Sequence, residues 1–414
     1  MSKNKNNLDN CPTIESNWIS NDFFQTVLSS HFHDKSVKII SHEIKPAAKK
    51  GENFASAVYR VIVTYQLLNK TNHNEKISLI LKTHSSNGAV QEVIEEFHVF
   101  ERELTTYKEV LIECEKLMCD INEPLNFSPQ LIFADSNNLV FEDVSERGYR
   151  TIDRKERLDL QHALLFIEKL AKFHATTAFL YKQNPDVFRY HMEGGLTEVE
   201  TPYHAFFRTV VNEFVNTVVK SDPNLNQYLS FMTDFSENII ENVKKVFTRS
   251  NNEFHVQNHG DAWMNNMLWK NDDQGNVIDV IVVDHQEGFF GSPGIDLNHF
   301  INTSCNMDVQ INHIDDLLSR YHSILSNTLE KLGAKNIPTE DDILEEVKRK
   351  MDHGIIVLTC ILPIMLIEDP DLADPSNFFS ESDEAKEVRH TIYSNPKYID
   401  IVRVILPKLI QGKM

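Results

Sequence analysis

His259-Gly260-Asp261-Ala262-Trp263-Met264-Asn265-Asn266 opens the stretch of this chain that carries the most chemistry. Met267-Leu268-Trp269 follows, then a polar turn from Lys270 to Asn276, then an apolar run from Val277 to Val283 that ends in Asp284-His285-Gln286. Two apolar runs joined by a polar turn predict a β-hairpin. Asn266 enters the first strand and Asp284 leaves the second, so antiparallel pairing brings both to the same end of the ladder. A carboxylate and an amide oxygen then converge beside the loop that carries Asp261. Hard oxygens in that arrangement suit magnesium, which takes one or two protein carboxylates and completes its shell with water and phosphate oxygens.

Phosphoryl transfer from ATP needs these parts. A metal neutralises charge on the β- and γ-phosphates, and a carboxylate orients the attacking hydroxyl and takes its proton. Asp261 suits the second role, and Asn266 and Asp284 suit the first. A His-x-Asp with an Asn five residues on is a weak signal alone. An Asp at the end of the next apolar strand makes it fairly specific.

Outward from this hairpin, the first third of the chain reads as sheet. Ala57 to Tyr65 is rich in β-branched and aromatic residues, and Ile77 to Lys82 forms a second strand after a polar turn from Asn69 to Lys76. Lys82 closes a strand with apolar residues on both faces, where an ammonium needs a carboxylate, a phosphate or a route to water. Beside the metal cluster, contact with the α- and β-phosphates is the better assignment. From Val90 to Leu117 the period changes: apolar residues at 93, 97, 100, 104, 107 and 111 mark one face of a helix. Glu101 and Glu103 each lie about 80° from the centre of that stripe, on opposite sides, so periodicity leaves both open as partners for Lys82. Gly51 to Ser56 is a small, polar segment before the first strand, compatible with a phosphate cradle or with a plain turn.

Leu131–Ala134 and Leu139–Phe141 read as a hairpin, and a short amphipathic helix is predicted from about Asp22 to Phe32. After Val144 the pattern is mostly helical. Asp153-x-x-Glu156 is a capping box for a helix through Phe173, with further helices near 204–220, 225–247, 308–332 and 340–368. A strand-rich first third before a helix-rich remainder predicts an α+β chain of two lobes, divided into residues 1–143 and 144–414, with a cleft between them.

The composition bounds the alternatives. The 414 residues are 41% apolar and carry 61 acidic against 41 basic side chains, a formal charge of −20. Such a field repels nucleic acid and anionic membranes. Five cysteines without a Cys-x-x-Cys pair argue against a disulfide framework and suit a reducing compartment. MSKNKNNLDN lacks the apolar core of a secretory signal, and Gly354 to Ile367, interrupted by Pro363, is too short to span a bilayer. These features point to a cytoplasmic enzyme, with Gly354 to Ile367 as a buried, kinked helix.

Taken together, these residues resemble the insect ecdysteroid kinase-like family, which belongs with the choline kinases and aminoglycoside phosphotransferases. His259-Gly260-Asp261-x-x-x-x-Asn266 resembles its catalytic loop, and Asp284-His285-Gln286 its metal-binding Asp-Phe-Gln. Gly291-Ser292-Pro293-Gly294-Ile295-Asp296-Leu297 resembles the segment that follows. Gly51, Asn53, Phe54 and Ser56 lie in a match to its nucleotide loop, and Glu103-x-x-x-Tyr107 to its first-lobe helix, which favours Glu103 over Glu101. Leu139 to Val144 resembles the hinge, and Leu170 to Ala175 the Leu-Ala-x-x-His-Ala helix. The match runs in order over roughly residues 40 to 400. His285 departs from it, standing where the family has Phe.

The resemblance implies a bilobal protein-kinase-like fold that binds ATP and Mg2+, with adenine bonded to the hinge around Glu142 and Val144. It implies a structural role for Asp296 and makes His174 a core residue. The function it implies is phosphorylation of a hydroxyl on an ecdysteroid or similar apolar metabolite. Phe289 and Phe290 are candidates for the wall of an apolar acceptor pocket, or for ordinary packing. A kinase for a small polar alcohol such as choline would need carboxylates and an aromatic box. An inactive binding protein of the same fold is the third alternative, against which Lys82, Asp261, Asn266 and Asp284 stand intact. No Ala-Pro-Glu segment or Gly-x-Gly-x-x-Gly suggests a protein kinase.

Overall fold

The computed structural model describes residues 18–47, 56–67, 73–84, 98–196, 198 and 200–412. Its first lobe is built on one antiparallel sheet of order β1-β2-β3-β5-β4. The strands are β1 (Val37–Pro46), β2 (Ser56–Leu67), β3 (Glu75–His84), β4 (Leu131–Ala134) and β5 (Asn138–Glu142). Pleating sorts their side chains onto two faces. Val61, Val63, Leu79, Leu81 and Val140 pack under the helix Asn21–Phe32, against Phe24, Val27 and Leu28. Leu139 and Phe141 turn the other way, toward Tyr107, Phe100 and Leu104 of the second helix. Lys82 is one residue from Leu81, so it shares that second face.

The second helix is described from Val99 to Asp120, with a π-helical turn at Thr106–Val110. The predicted part before residue 98 lies outside the described residues. The other lobe is mostly helical. Its long helix Leu160–Gln183 packs on Ile314–Lys331 within a continuous apolar core. Embedded in it are β6 (Val256–Asn258) paired with β9 (Phe289–Gly291), and the hairpin of β7 (Met267–Asn271) and β8 (Val277–Val282). The result is the bilobal, kinase-like architecture that the sequence predicts.

Four local features depart from the sequence reading. β1 pairs along β2, but its inward positions do not alternate cleanly with polar ones, so it carries little period-two signal. The long helix starts at Leu160, capped by Asp159, which accepts from the His162 amide. The predicted box at Asp153 instead forms a turn, because Arg157 sits at φ 55°, a left-handed conformation no helix can pass through. Gly354 to Ile367 is buried but divides into two short helices, Met351–Cys360 and Leu362–Met365. Pro363 lies in the first turn of the latter, where its missing N–H costs nothing. Helices Asp383–Tyr393 and Pro396–Ile410 and strand β9 were not foreseen.

Candidate active site

Lys82 lies buried at the meeting of the lobes. Its Nζ donates to Glu103 Oε2 at 2.6 Å and to Asp284 Oδ1 at 2.5 Å. Sheet register and helix phase produce this geometry: the Lys82 face of β3 looks at the second helix, which turns Glu103 inward. Glu101 is half exposed, 4.0 Å from the ring of His98. Periodicity left these two carboxylates open; the fold brings only Glu103 to Lys82. Burial alone would depress the Lys82 ammonium, but Asp284 and Glu103 outweigh it and hold it above its usual value. Burial pushes Glu103 up, against the pull of Lys82.

The helix that presents Glu103 is pinned to the second lobe by a segment the sequence did not single out. Arg102 donates to the carbonyls of Tyr190 (2.9 Å) and Glu193 (2.7 Å). Thr106 Oγ1 meets His191 Nε2 at 2.9 Å, and Arg189 grips Glu109 with two bonds of 2.8 and 2.7 Å. These contacts fix the rotation of the helix about its axis, and with it the aim of Glu103.

Asp261 sits on the loop between β6 and β7. Asp296 anchors that loop, accepting from the amides of His259 (2.6 Å) and Gly260 (2.9 Å). His174 bonds Asp296 at 3.2 Å and Tyr321 at 2.7 Å, deep in the core. His259 spans the loop, from the Val283 carbonyl at 2.9 Å to the Asp261 amide at 3.3 Å. Gly260 holds φ 84°, and a Cβ there would lie 1.9 Å from the Glu287 carbonyl oxygen. Both strain and clash act on backbone, so Gly260→Ala is expected to cost more than about 2 kcal/mol of stability. A urea titration checks this, and an unchanged midpoint would refute it.

The hairpin brings Asn266 and Asp284 to one end: Met267 faces Val282, and the Val283 amide donates to the Asn266 carbonyl at 2.9 Å. Asn266 Nδ2 donates to Asp261 Oδ2 at 2.9 Å and to the Asp261 carbonyl at 3.0 Å, which turns its Oδ1 away from Asp261. Asp284 adopts φ 70° and ψ 66°, an uncommon conformation for a residue with a side chain. Lys82 takes one of its oxygens, and the side chain remains 27% exposed. Burial first, then the charges of Asp284 and Glu287, push Asp261 up to about 8. Burial is the largest cause, and the neighbouring Asp284 and Glu287 carboxylates add to it; a divalent cation would relieve only their share. Among the described residues no three His, Cys, Asp or Glu side chains form a metal cage. Magnesium needs only one or two protein ligands, and the oxygens of Asn266 and Asp284, at one end of the hairpin, are of the chemistry it takes.

His285 points away from this cluster. Its Nε2 meets Ser128 Oγ at 2.6 Å, and its ring packs against Tyr107 (5.2 Å) and Phe127 (5.8 Å). Burial, then nearby His259 and Lys82, hold it well below its ordinary value, so it packs as a neutral aromatic ring. This is how histidine fills the slot of a phenylalanine. His285→Phe loses one hydrogen bond and keeps the ring contacts. The expected change is within about 1.5 kcal/mol in urea, and a larger loss would show that Ser128 matters more than packing.

Ser56 begins β2 opposite His84, two positions from the Val58–Lys82 pair. Gly51, Asn53 and Phe54 lie outside the described residues. At the hinge, the Glu142 amide donates to the Gln130 carbonyl at 3.0 Å, and its carboxylate meets the Gln130 amide and Arg147. Asp143 ties the hinge to the sheet through Arg60 and Ser78, both at 2.7 Å. Val144 is buried beside Tyr149 and Ile281. Phe289 and Phe290 are core residues: Phe290 stacks on Tyr181 at 4.3 Å and lies 4.7 Å from Phe188.

The model of the ecdysteroid kinase-like family matches residues 50–334. No curated protein matches the chain. Among solved structures, an ethanolamine kinase of Plasmodium vivax aligns over 87% of this chain and 84% of its own, at 12% identity and a TM-score of 0.39. A spectinomycin phosphotransferase in complex with ADP and spectinomycin aligns over 93% and 98%, at 11% identity and 0.44. A glucosamine kinase with glucosamine, ADP and inorganic phosphate aligns over 90% and 94%, at 9% and 0.31.

Proposed function

The chain belongs to the ecdysteroid kinase-like family, and from that premise we propose that it is an ATP-dependent small-molecule kinase acting on a hydroxyl of an ecdysteroid or similar apolar metabolite. One observation carries the reading: Lys82 of the first lobe meets Glu103 and Asp284, while Asn266 joins Asp284 at the hairpin end and Asp261 in the adjoining loop.

Asp261 is the base. It orients the acceptor hydroxyl and takes its proton as that oxygen attacks the γ-phosphorus. The bond from phosphorus to the β–γ bridging oxygen breaks, and ADP carries away the released electron pair. Lys82, aimed by Glu103, pairs with the α- and β-phosphates. Asn266 Oδ1 and Asp284 would hold magnesium, which would supply positive charge to neutralise the phosphates of ATP. The Glu142 amide is already spent on Gln130, so the hinge offers adenine the Glu142 carbonyl and the Val144 amide. The match to the family's nucleotide loop assigns Gly51, Asn53, Phe54 and Ser56 to phosphate binding. In this reading the lobes divide between residues 143 and 144, and the protein works in the cytoplasm on a small hydroxylated acceptor.

The test is incubation with ATP, magnesium and a panel of hydroxylated steroids, glycosides and amino alcohols, followed by mass spectrometry. A phosphate added to a steroid supports the full reading. A phosphorylated amino alcohol would move the acceptor to the choline-like class, and no phosphorylated product with any acceptor would leave an inactive binder.

A further inference from the structure

The carboxylate proposed as base has a neighbour that no motif marked. His299 lies on the helix Gly294–Thr303, three residues beyond Asp296. That spacing puts the two side chains on one helix face. Asp296 holds the backbone of the Asp261 loop, so His299 is delivered to the same loop by the same element. Its Nε2 lies 3.5 Å from Asp261 Oδ1. The other carboxylate oxygen, Oδ2, accepts from Asn266.

The imidazole is buried, and neither ring nitrogen makes a well-formed hydrogen bond, although the Gly260 carbonyl and the Asp261 carboxylate both face it. Leaving such a group unsatisfied is costly, and the Gly260 carbonyl and the ionised form of Asp261, the form that acts as base, are acceptors that call for an N–H. Behind it stands His353, also buried, edge-on at 5.5 Å, and His353 in turn packs edge-on to Phe247 at 5.7 Å. This stack fixes the plane of the His299 ring. Burial pushes His299 down to about 4, so the ring is neutral at pH 7 and carries one N–H.

We propose that His299 is a positioning residue for Asp261: its Nε2–H holds Oδ1 while Asn266 holds Oδ2, so the carboxylate cannot swing about its bond to Cβ. The separation exceeds a good hydrogen bond by about half an ångström, a gap that a small rotation of either group closes. The proposal rests on the kinase reading above.

His299→Phe keeps the ring and its contact with His353 but removes the N–H. His299→Gln returns a donor at similar reach. The phenylalanine variant is expected to lower kcat about 10- to 100-fold with KM for ATP within about twofold, and the glutamine variant to recover most of the loss. A purely structural role would instead make the two variants lose activity alike, in step with their urea midpoints. A second measurement uses the wild-type fold: 15N spectra of labelled histidine, assigned with His299→Gln, should show the Nε2–H tautomer. A kcat for His299→Phe within twofold of wild type, glutamine no better than phenylalanine, or the Nδ1–H tautomer overturns the proposal alone. A wild-type protein without turnover on any acceptor sinks the kinase reading and this proposal with it.

Discussion

Asp261→Asn is expected to lower turnover by about a thousandfold or more while nucleotide affinity stays within about threefold. The substitution preserves shape and still allows a hydrogen bond with Asn266, which now meets Asp261 at 2.9 Å. What disappears is the ability to take a proton from the acceptor hydroxyl. The nucleotide contacts assigned to Lys82 and the hinge do not pass through this residue, so binding should survive. Calorimetric titration with a non-hydrolysable ATP analogue, beside steady-state kinetics, separates the two quantities. Near-normal turnover would remove Asp261 from the role of base.

The second large effect is expected at Asp284. Asp284→Ala removes one of two proposed magnesium ligands and one of two carboxylates on Lys82. In the wild type, magnesium should tighten binding of the ATP analogue. In the variant that gain should vanish, with affinity falling about 100-fold in magnesium and changing little in EDTA. Lys82 keeps Glu103 as a partner at 2.6 Å, so the fold should hold. A variant that still gained affinity from magnesium would show that the cation binds elsewhere. Circular dichroism and a urea titration guard against the alternative that Lys82, left with one buried partner, unfolds the cleft.

The central hairpin was legible because its signal is short-range. Two apolar runs, a polar turn and the residues at their ends fix which side chains converge, and no tertiary knowledge is needed. The partner of Lys82 was harder. Glu101 and Glu103 straddle the apolar stripe symmetrically, and the helix is rotated by contacts from residues 189–193, over eighty positions away in sequence. Periodicity within one helix cannot encode that clamp. His299 was invisible for a related reason: it neighbours Asp261 only because Asp296 docks its helix on the loop. A residue three positions after a loop-anchoring Asp was the one available cue.

Other misses have local causes. The capping-box pattern places the helix start at Asp153, but the helix starts after Asp159, because Arg157 between them takes a left-handed conformation. Phe289 and Phe290 stood near the metal cluster in sequence, which made them candidates for an acceptor wall. Strand β9 buries both in the core, which is the ordinary-packing alternative.

The most direct measurement is anomalous diffraction from crystals grown with manganese and a non-hydrolysable ATP analogue. The expected result is a manganese peak about 2.1 Å from both Asn266 Oδ1 and an Asp284 oxygen, with Lys82 Nζ on the α- or β-phosphate. A peak held by other residues, or a bound nucleotide whose γ-phosphate points away from Asp261, would contradict the assignment of these four side chains to one catalytic centre.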